Sequence, residues 1–292
     1  MAFVTRFAPS PTGPLHLGHA YSALLAHDMA RAAGGTFLLR IEDIDTTRCR
    51  PEWEEQIYDD LAWLGIGWDD TPMRQSDRIG AYDTALQNLW DRGLLYPCAC
   101  TRRDITAAAS APQEGSAPAI GPDGPIYPGT CRPETAPTEH PMPIGKALRL
   151  NMAVALRDLA GLGAGFGFDE TGDGVDDPPR KIRFSPHEVM TGIGDIVLSR
   201  RDFPGSYHLS VVLDDRDQGI THVIRGQDLF DATRIHVVLQ RLIGMPTPIY
   251  HHHRLIRDGA GKRLAKRDDA RAISKYRSDG ASPADIRALV GL

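Results

Sequence analysis

The sequence predicts an α/β fold: a Rossmann-like, doubly wound parallel sheet, interrupted by an inserted subdomain and followed by a short C-terminal helical segment. Two observations carry this. In the first half, short apolar runs alternate with stretches of helical periodicity, as strands joined by crossover helices do. The same alternation resumes after a Pro/Gly-rich middle, so one sheet is split by an insert. At 292 residues and 41 % hydrophobic content, the chain can bury a core of that size.

Phe3 to Phe7 reads as the first strand. After a Pro/Gly-rich loop, Ala20, Leu24, Leu25 and Met29 recur at roughly helical spacing. Gly34 and Gly35 stop that helix, and Thr36 to Ile41 reads as a second strand, completing a βαβ unit. Helices are expected around Glu52 to Leu64 and Asp77 to Arg92. Residues 1–95 therefore form the first half of a nucleotide-binding domain. Residues 96–190 form the insert, with mobile loops where Pro, Gly, Ala and Ser dominate. Residues 191–255 return to the sheet through strand-like Ile193 to Leu198, helical Tyr207 to Asp215, strand-like Ile220 to Ile224, helical Ala232 to Leu242 and strand-like Ile249 to His253. Residues 256–292 hold a Gly/Lys/Arg loop and two short helices, near Asp268 to Arg277 and Pro283 to Leu289. No internal repeat is visible.

Composition narrows the class. No apolar stretch is long enough to span a bilayer, and the N-terminus lacks a signal-peptide pattern, so a cytoplasmic protein with no membrane role is expected. Four unevenly spaced cysteines suit a reducing compartment, with a metal site the alternative use. A net charge of -5 argues mildly against an RNA partner, although Arg257 to Arg271 is locally basic.

The strongest motif is Pro9-Ser10-Pro11-Thr12-Gly13-Pro14-Leu15-His16-Leu17-Gly18-His19, between the first strand and the first helix. A helix N-terminus beyond the carboxyl end of a parallel strand offers free N–H groups and a positive dipole end to phosphate. His16 and His19 can add donors, and Gly18 allows close backbone approach. Two histidines three apart also suit a metal or a solvated loop. The second motif is Lys262-Arg263-Leu264-Ala265-Lys266-Arg267. Most such runs are solvated surface, but a loop carrying Lys266 can close over a triphosphate and neutralise developing charge.

Together these segments resemble the two signatures of class I aminoacyl-tRNA synthetases. Arg6-Phe7-Ala8-Pro9-Ser10-Pro11-Thr12-Gly13, Arg40-Ile41-Glu42-Asp43 and Arg225-Gly226-Gln227-Asp228-Leu229 resemble the glutamyl branch. The resemblance runs from Phe3 to about Tyr276, apart from loops of the insert. Full glutamyl-tRNA synthetases continue into a helical anticodon-binding region. This chain stops at Leu292, so it is most similar to the short paralogue family, the glutamyl-Q tRNA(Asp) synthetases. Ala265 departs from the serine common at its position.

The resemblance implies activation of L-glutamate by ATP without tRNA, then transfer to the queuosine base at the wobble position of tRNA(Asp). It implies that Arg6, Arg225 and Tyr207 surround the substrate carboxylates, that Glu42 meets the α-amino group, and that Ser10 and the Ala8 backbone complete the pocket. Planar guanidinium forks suit carboxylates physically. Pro9, His16, Gly18, His19 and Lys266 would bind ATP with its Mg2+, and His16, His19 and Lys266 would stabilise charge while the carboxylate attacks the α-phosphorus. Without the family match, an ordinary surface ion pair or, for Tyr207, core packing would be the better explanation of each residue in the glutamate pocket.

Cys98, Cys100 and Cys131 offer three soft ligands where a structural Zn2+ needs four. In full-length relatives a histidine can lie two residues beyond the last cysteine, where this chain has Pro133. The short family uses a tyrosine four residues before that cysteine, and Tyr127 matches. His140 is the alternative, and three buried thiols without metal are the plainer possibility. Cys49 is expected to be unrelated. His251-His252-His253 is expected to be a strand segment pointing alternately inward and outward near the nucleotide. The rivals are a minimal glutamyl-tRNA synthetase charging a 3′ end, a nucleotidyltransferase of the same superfamily, and a non-catalytic RNA-binding paralogue.

Overall fold

The computed structural model describes residues 2–109, 119–160, 165–174, 180–257 and 271–292. The first elements are β1 (Val4–Phe7), α1 (Leu17–Ala32), β2 (Thr36–Ile41), α2 (Pro51–Trp63), β3 (Met73–Arg74) and α3 (Ile79–Asp91). The middle holds β4 (Leu95–Cys98), α4 (Arg102–Ala109), β5 (Ile120–Gly121), β6 (Gly124–Pro125), β7 (Ala147–Leu150), α5 (Met152–Ala160), β8 (Phe166–Glu170), β9 (Arg180–Phe184), α6 (Pro186–Gly192) and β10 (Val197–Ser199). Then come α7 (Tyr207–Asp217), β11 (His222–Gly226), α8 (Thr233–Leu242), β12 (Ile249–His253), α9 (Ile273–Ser278) and α10 (Pro283–Val290).

β1 pairs in parallel with β2, and β2 with β3. On the other side β11 runs parallel to β12 and β12 to β8, while β9 closes the edge antiparallel to β8. The two groups join where β1 lies beside β11: Thr221 N donates to Val4 O at 2.9 Å, and Val4 N to Thr221 Oγ1 at 2.8 Å. Placed side by side, the two groups give the order β3-β2-β1 followed by β11-β12-β8-β9; the chain winds outward from β1 to β3 and from β11 to β12, whereas β8 and β9 beyond β12 come earlier in the sequence. That junction is the topological switch point, where open parallel sheets leave a crevice for ligand.

Helix α1 crosses back from β1 to β2 because its buried face is small. Ala20, Ala23, Ala26 and Ala30 are at most 1 % exposed and let the helix approach the strands closely. Leu24, fully buried between them, contributes about 1.5–3 kcal/mol. Gly34, at φ +60°, ends the helix in a conformation that disfavours other residues. A second core gathers α3, α5, α7 and α8 around Leu86, Leu159, Leu209 and Leu239.

Two segments lie in sheets other than those the sequence suggests. β8 and β9, within the stretch read as insert, belong to the main sheet. Phe166 and Phe168 alternate with Gly167 at a strand's period of two, a pattern hidden by the glycine-rich composition around it. β10, read as part of the second half, instead pairs antiparallel with β7 in the insert's own sheet, ordered β10-β7-β4. Its three residues are too few for periodicity to specify a partner.

Candidate active site

β1 and β11 end side by side at the switch point, and the residues there set the charge of the crevice. Arg6, next to last in β1, donates from Nε to Asp215 Oδ1 at 2.8 Å and from Nη2 to Oδ2 at 3.4 Å. Arg40 of β2, fully buried, donates from Nη1 to the same Oδ1 at 2.7 Å and to Gln218 Oε1 at 2.9 Å. Burial alone would raise the Asp215 carboxyl, but the two guanidiniums outweigh it and hold the pKa below the ordinary value. Glu42 lies 3.4 Å from Arg40 Nη2 through Oε1. There burial wins over Arg40 and Arg6, and its carboxyl is pushed up. Arg6 keeps both Nη1 N–H groups without a protein acceptor among the described residues.

Arg225, next to last in β11, is held differently. Its Nε donates to His252 Nε2 and its Nη1 to His236 Nδ1, both at 3.1 Å; its Nη2 donates to Leu229 O at 3.2 Å and Thr233 Oγ1 at 2.6 Å. Every one of these acceptors is uncharged, and among the described residues no carboxylate pairs with this buried guanidinium. A buried cation without a counter-charge favours an anionic ligand. Four of its five N–H groups are engaged, so one remains and the expected bidentate fork is not available from this residue. Arg6 is the better fork.

Tyr207 opens α7 behind the cap residue Ser206. It is 36 % exposed; desolvation raises its pKa, with Arg225 opposing and Glu42 reinforcing. The hydroxyl has no protein partner among the described residues. Pro9 O accepts from Glu42 N at 2.9 Å, tying the end of β2 to the loop after β1. Ala8 and Ser10 are half-buried on that loop, and Ser10 Oγ lies 3.9 Å from Cys49 Sγ. Cys49, on the segment between β2 and α2, therefore lies against this loop, apart from the other cysteines.

At the start of α1, His16 is the N-cap. Gly18 N donates to His16 Nδ1 at 3.1 Å, His16 N donates to His19 Nδ1 at 3.2 Å, and the two rings stack at 3.8 Å. A Cβ on Gly18 would come 3.0 Å from His16 Cε1, so the first demand for glycine here is the folded-back imidazole. The helix has no acidic residue in its first turn, which leaves its positive end unopposed. Lys266, with the whole run from Lys262 to Arg267, lies outside the described residues.

The triple histidine is strand β12 throughout. His251 meets Thr171, His252 meets Arg225 and Glu170, and His253 meets Ser22 Oγ at 2.7 Å on α1. Asp215, Arg40, His236, His208 and Glu170 were not picked out as site residues in the sequence. The available signal was polar residues set in apolar runs, such as the paired acids after Val211-Val212-Leu213 and the lone His236 before Val237-Val238-Leu239.

In the insert, the Sγ atoms of Cys98, Cys100 and Cys131 all lie within 4.8 Å of one another. Tyr127 Oη lies 3.5 Å from both Cys98 and Cys100 Sγ and accepts from Cys131 N at 2.7 Å. Arg149 donates from Nε to Cys98 Sγ at 3.3 Å, its guanidinium 3.9 Å above the Tyr127 ring. Four tetrahedral ligands at zinc–sulfur bonds of about 2.3 Å put sulfurs about 3.8 Å apart, a spacing this cluster can adopt. His140 is exposed and stands apart from it, with its carbonyl bonded to Trp90 Nε1 at 3.0 Å.

A switch-point crevice lined by two arginines beside a helix N-terminus fits a class I synthetase catalytic domain, the class to which the chain belongs. Residues 2–120 and 170–292 match the family model for class I tRNA synthetases (E and Q), catalytic domain. A glutamyl-Q tRNA(Asp) synthetase of Rhodobacter capsulatus is 62 % identical over 99 % of this chain and 100 % of its own length. One from Symbiobacterium thermophilum is 41 % identical over 96 % of this chain and 83 % of its own. The chain belongs to the glutamyl-Q tRNA(Asp) synthetase family.

Among solved structures, a glutamate tRNA ligase from Elizabethkingia meningosepticum, in complex with its amino acid, superposes with a TM-score of 0.74 at 27 % identity. That alignment covers 99 % of this chain and 60 % of the ligase, so the chain spans about three fifths of the ligase's length. A methionyl-tRNA synthetase of Mycobacterium tuberculosis, at 12 % identity and a TM-score of 0.58, shares the fold. No described helix is long and apolar enough to cross a membrane.

Proposed function

We propose that this chain couples L-glutamate to ATP, releasing pyrophosphate and forming glutamyl-adenylate without RNA, and then passes the glutamyl group to the queuosine base at the wobble position of tRNA(Asp). The observation that carries the first step is the set of unengaged polar groups around the switch point. The Arg6 Nη1 edge, the fifth Arg225 N–H and the Tyr207 hydroxyl are donors to carboxylates, and the Glu42 carboxylate opposite them suits an ammonium. Glutamine lacks the side-chain carboxylate and would offer these donors one anion fewer, which favours glutamate.

In this reading Arg6, Arg225 and Tyr207 hold the substrate carboxylates, and Glu42, Ser10 and the Ala8 backbone hold the amino end. An α-carboxylate oxygen attacks the α-phosphorus as pyrophosphate departs. Pro9, Gly18, His16 and His19 receive the nucleotide at the positive end of α1, and Lys266 closes over the phosphates with the Mg2+ that ATP brings. Cys98, Cys100, Cys131 and Tyr127 would hold Zn2+, which would cross-link the insert structurally. Unlinked thiols at this spacing fit a reducing, cytoplasmic setting. The acceptor follows the relatives, matched along nearly the whole chain.

Glutamate-dependent ATP–pyrophosphate exchange with no RNA present is the test of activation. Steady exchange with glutamate, and exchange lower by about a hundredfold with glutamine or after Lys266→Ala, is expected. Absence of exchange until tRNA is added would replace this reading with that of an ordinary glutamyl-tRNA synthetase.

A further inference from the structure

Arg225 is the midpoint of a buried hydrogen-bonded chain, and its chemistry sets the state of every imidazole along it. A guanidinium is always a donor. His236 Nδ1, receiving Arg225 Nη1, therefore carries no proton, and the His236 proton lies on Nε2. That Nε2 faces His208 Nδ1 at 3.1 Å, so His208 accepts there and bears its own proton on Nε2. His208 Nε2 in turn lies 3.5 Å from Asp123 Oδ1, in the turn between β5 and β6 of the insert. On the other side His252 Nε2 accepts from Arg225 Nε, which places its proton on Nδ1, bonded to the carboxylate of Glu170. The chain reads Asp123, His208, His236, Arg225, His252, Glu170.

We infer that His236 and His208 are positioning residues for substrate glutamate: as neutral imidazoles of one tautomer they fix the Arg225 guanidinium and link its orientation to the insert hairpin. The inference rests on the proposed role of Arg225 as a carboxylate receptor. His208, His236, His252, Thr233 and Glu170 are all buried, which shields the bonds among them from bulk solvent, while the Asp123 end is exposed. Rotation of Arg225 would break four hydrogen bonds at once, and the single remaining N–H is thereby aimed. Burial and the adjacent Arg225 also hold the pKa of His236 well below the ordinary histidine value.

The test has two arms. Side-chain nitrogen NMR of the intact protein without substrate reads tautomers directly. Neutral His236 and His208 protonated on Nε2, with His252 protonated on Nδ1, are expected; a cationic His236 or the opposite tautomer overturns the inference. In pyrophosphate exchange, His236→Leu should raise the KM for glutamate about tenfold or more, the scale of a lost hydrogen bond to a charged group, with the KM for ATP unchanged. His236→Gln, whose carbonyl can accept from Arg225 while its amide donates to His208, should restore the glutamate KM to within about threefold of the parent. Equal effects of the two substitutions would reduce His236 to packing and overturn the proposal. If the parent shows no glutamate-dependent exchange, the functional reading fails, and the NMR arm still decides the tautomers.

Discussion

Asp60 shows what a single buried charge does to this fold. It lies on α2 with no exposed surface, and neither carboxylate oxygen has a donor among the described residues. Burial, reinforced by Asp59 and opposed by Arg277, pushes its pKa up to about 6 from the ordinary 3.8. Because the folded-state value is the higher one, folding favours the protonated acid. The group costs nothing below pH 3.8, destabilises progressively between 3.8 and 6, and exerts its full cost above 6. That cost is about 3 kcal/mol at 1.36 kcal/mol per pKa unit. Asp60→Asn keeps the shape and removes the titration. Urea unfolding from pH 4 to pH 7.5 should show the parent losing stability relative to the variant as pH rises, and parallel curves would refute the assignment.

Two elements have separable roles. At the first turn of α1, Gly18→Ala should favour the helix, since alanine exceeds glycine by about 1 kcal/mol in helix propensity. The added methyl would nevertheless press on His16, which caps the helix and faces the nucleotide in the proposed mechanism. The expected outcome is an unchanged or higher melting temperature together with a raised KM for ATP; a fall in both stability and ATP affinity would point to general disruption. In the insert, the cysteine cluster sits at the end of β4 and is tied to the subdomain through Arg149 and Asp195, the latter holding Arg132 at 2.7 Å and Tyr96 at 2.5 Å. Purified protein is expected to carry one zinc per chain, and Cys98→Ser to abolish it. Stoichiometric zinc in that variant would exclude this ligand set, and Tyr127→Phe then measures the phenol's share.

At the scale of the molecule the question is which RNA presents the acceptor. The chain carries a net charge of -5, so attraction to phosphate has to be local rather than global. A modified base identifies its RNA by chemistry as well as by charge. Labelled glutamate is therefore expected on tRNA(Asp) containing queuosine and absent from the unmodified transcript. Removal of the terminal adenosine should leave the label in place. Equal labelling of the unmodified transcript would assign the chain to ordinary 3′-end charging.

Local patterns were enough for the elements and the chemistry they bring. The apolar period placed β1, α1, β2 and β12, and the histidine motif fell at an α1 N-terminus because a Pro/Gly-rich loop before a helix cannot be regular structure. The three clustered cysteines and Tyr127 were also legible from spacing and family pattern, whereas His140 proved to lie elsewhere. Contacts between distant residues were not legible. Asp215 meets Arg6 across 209 positions, and Glu170 meets His252 across 82, distances at which sequence carries no period. The partner of a short strand such as β10 is likewise decided by which edge it reaches. Sequence set which charged and polar groups the chain carries; the tertiary fold decided which arginine is paired with a carboxylate and which is buried beside uncharged acceptors, because that depends on what lies next to it.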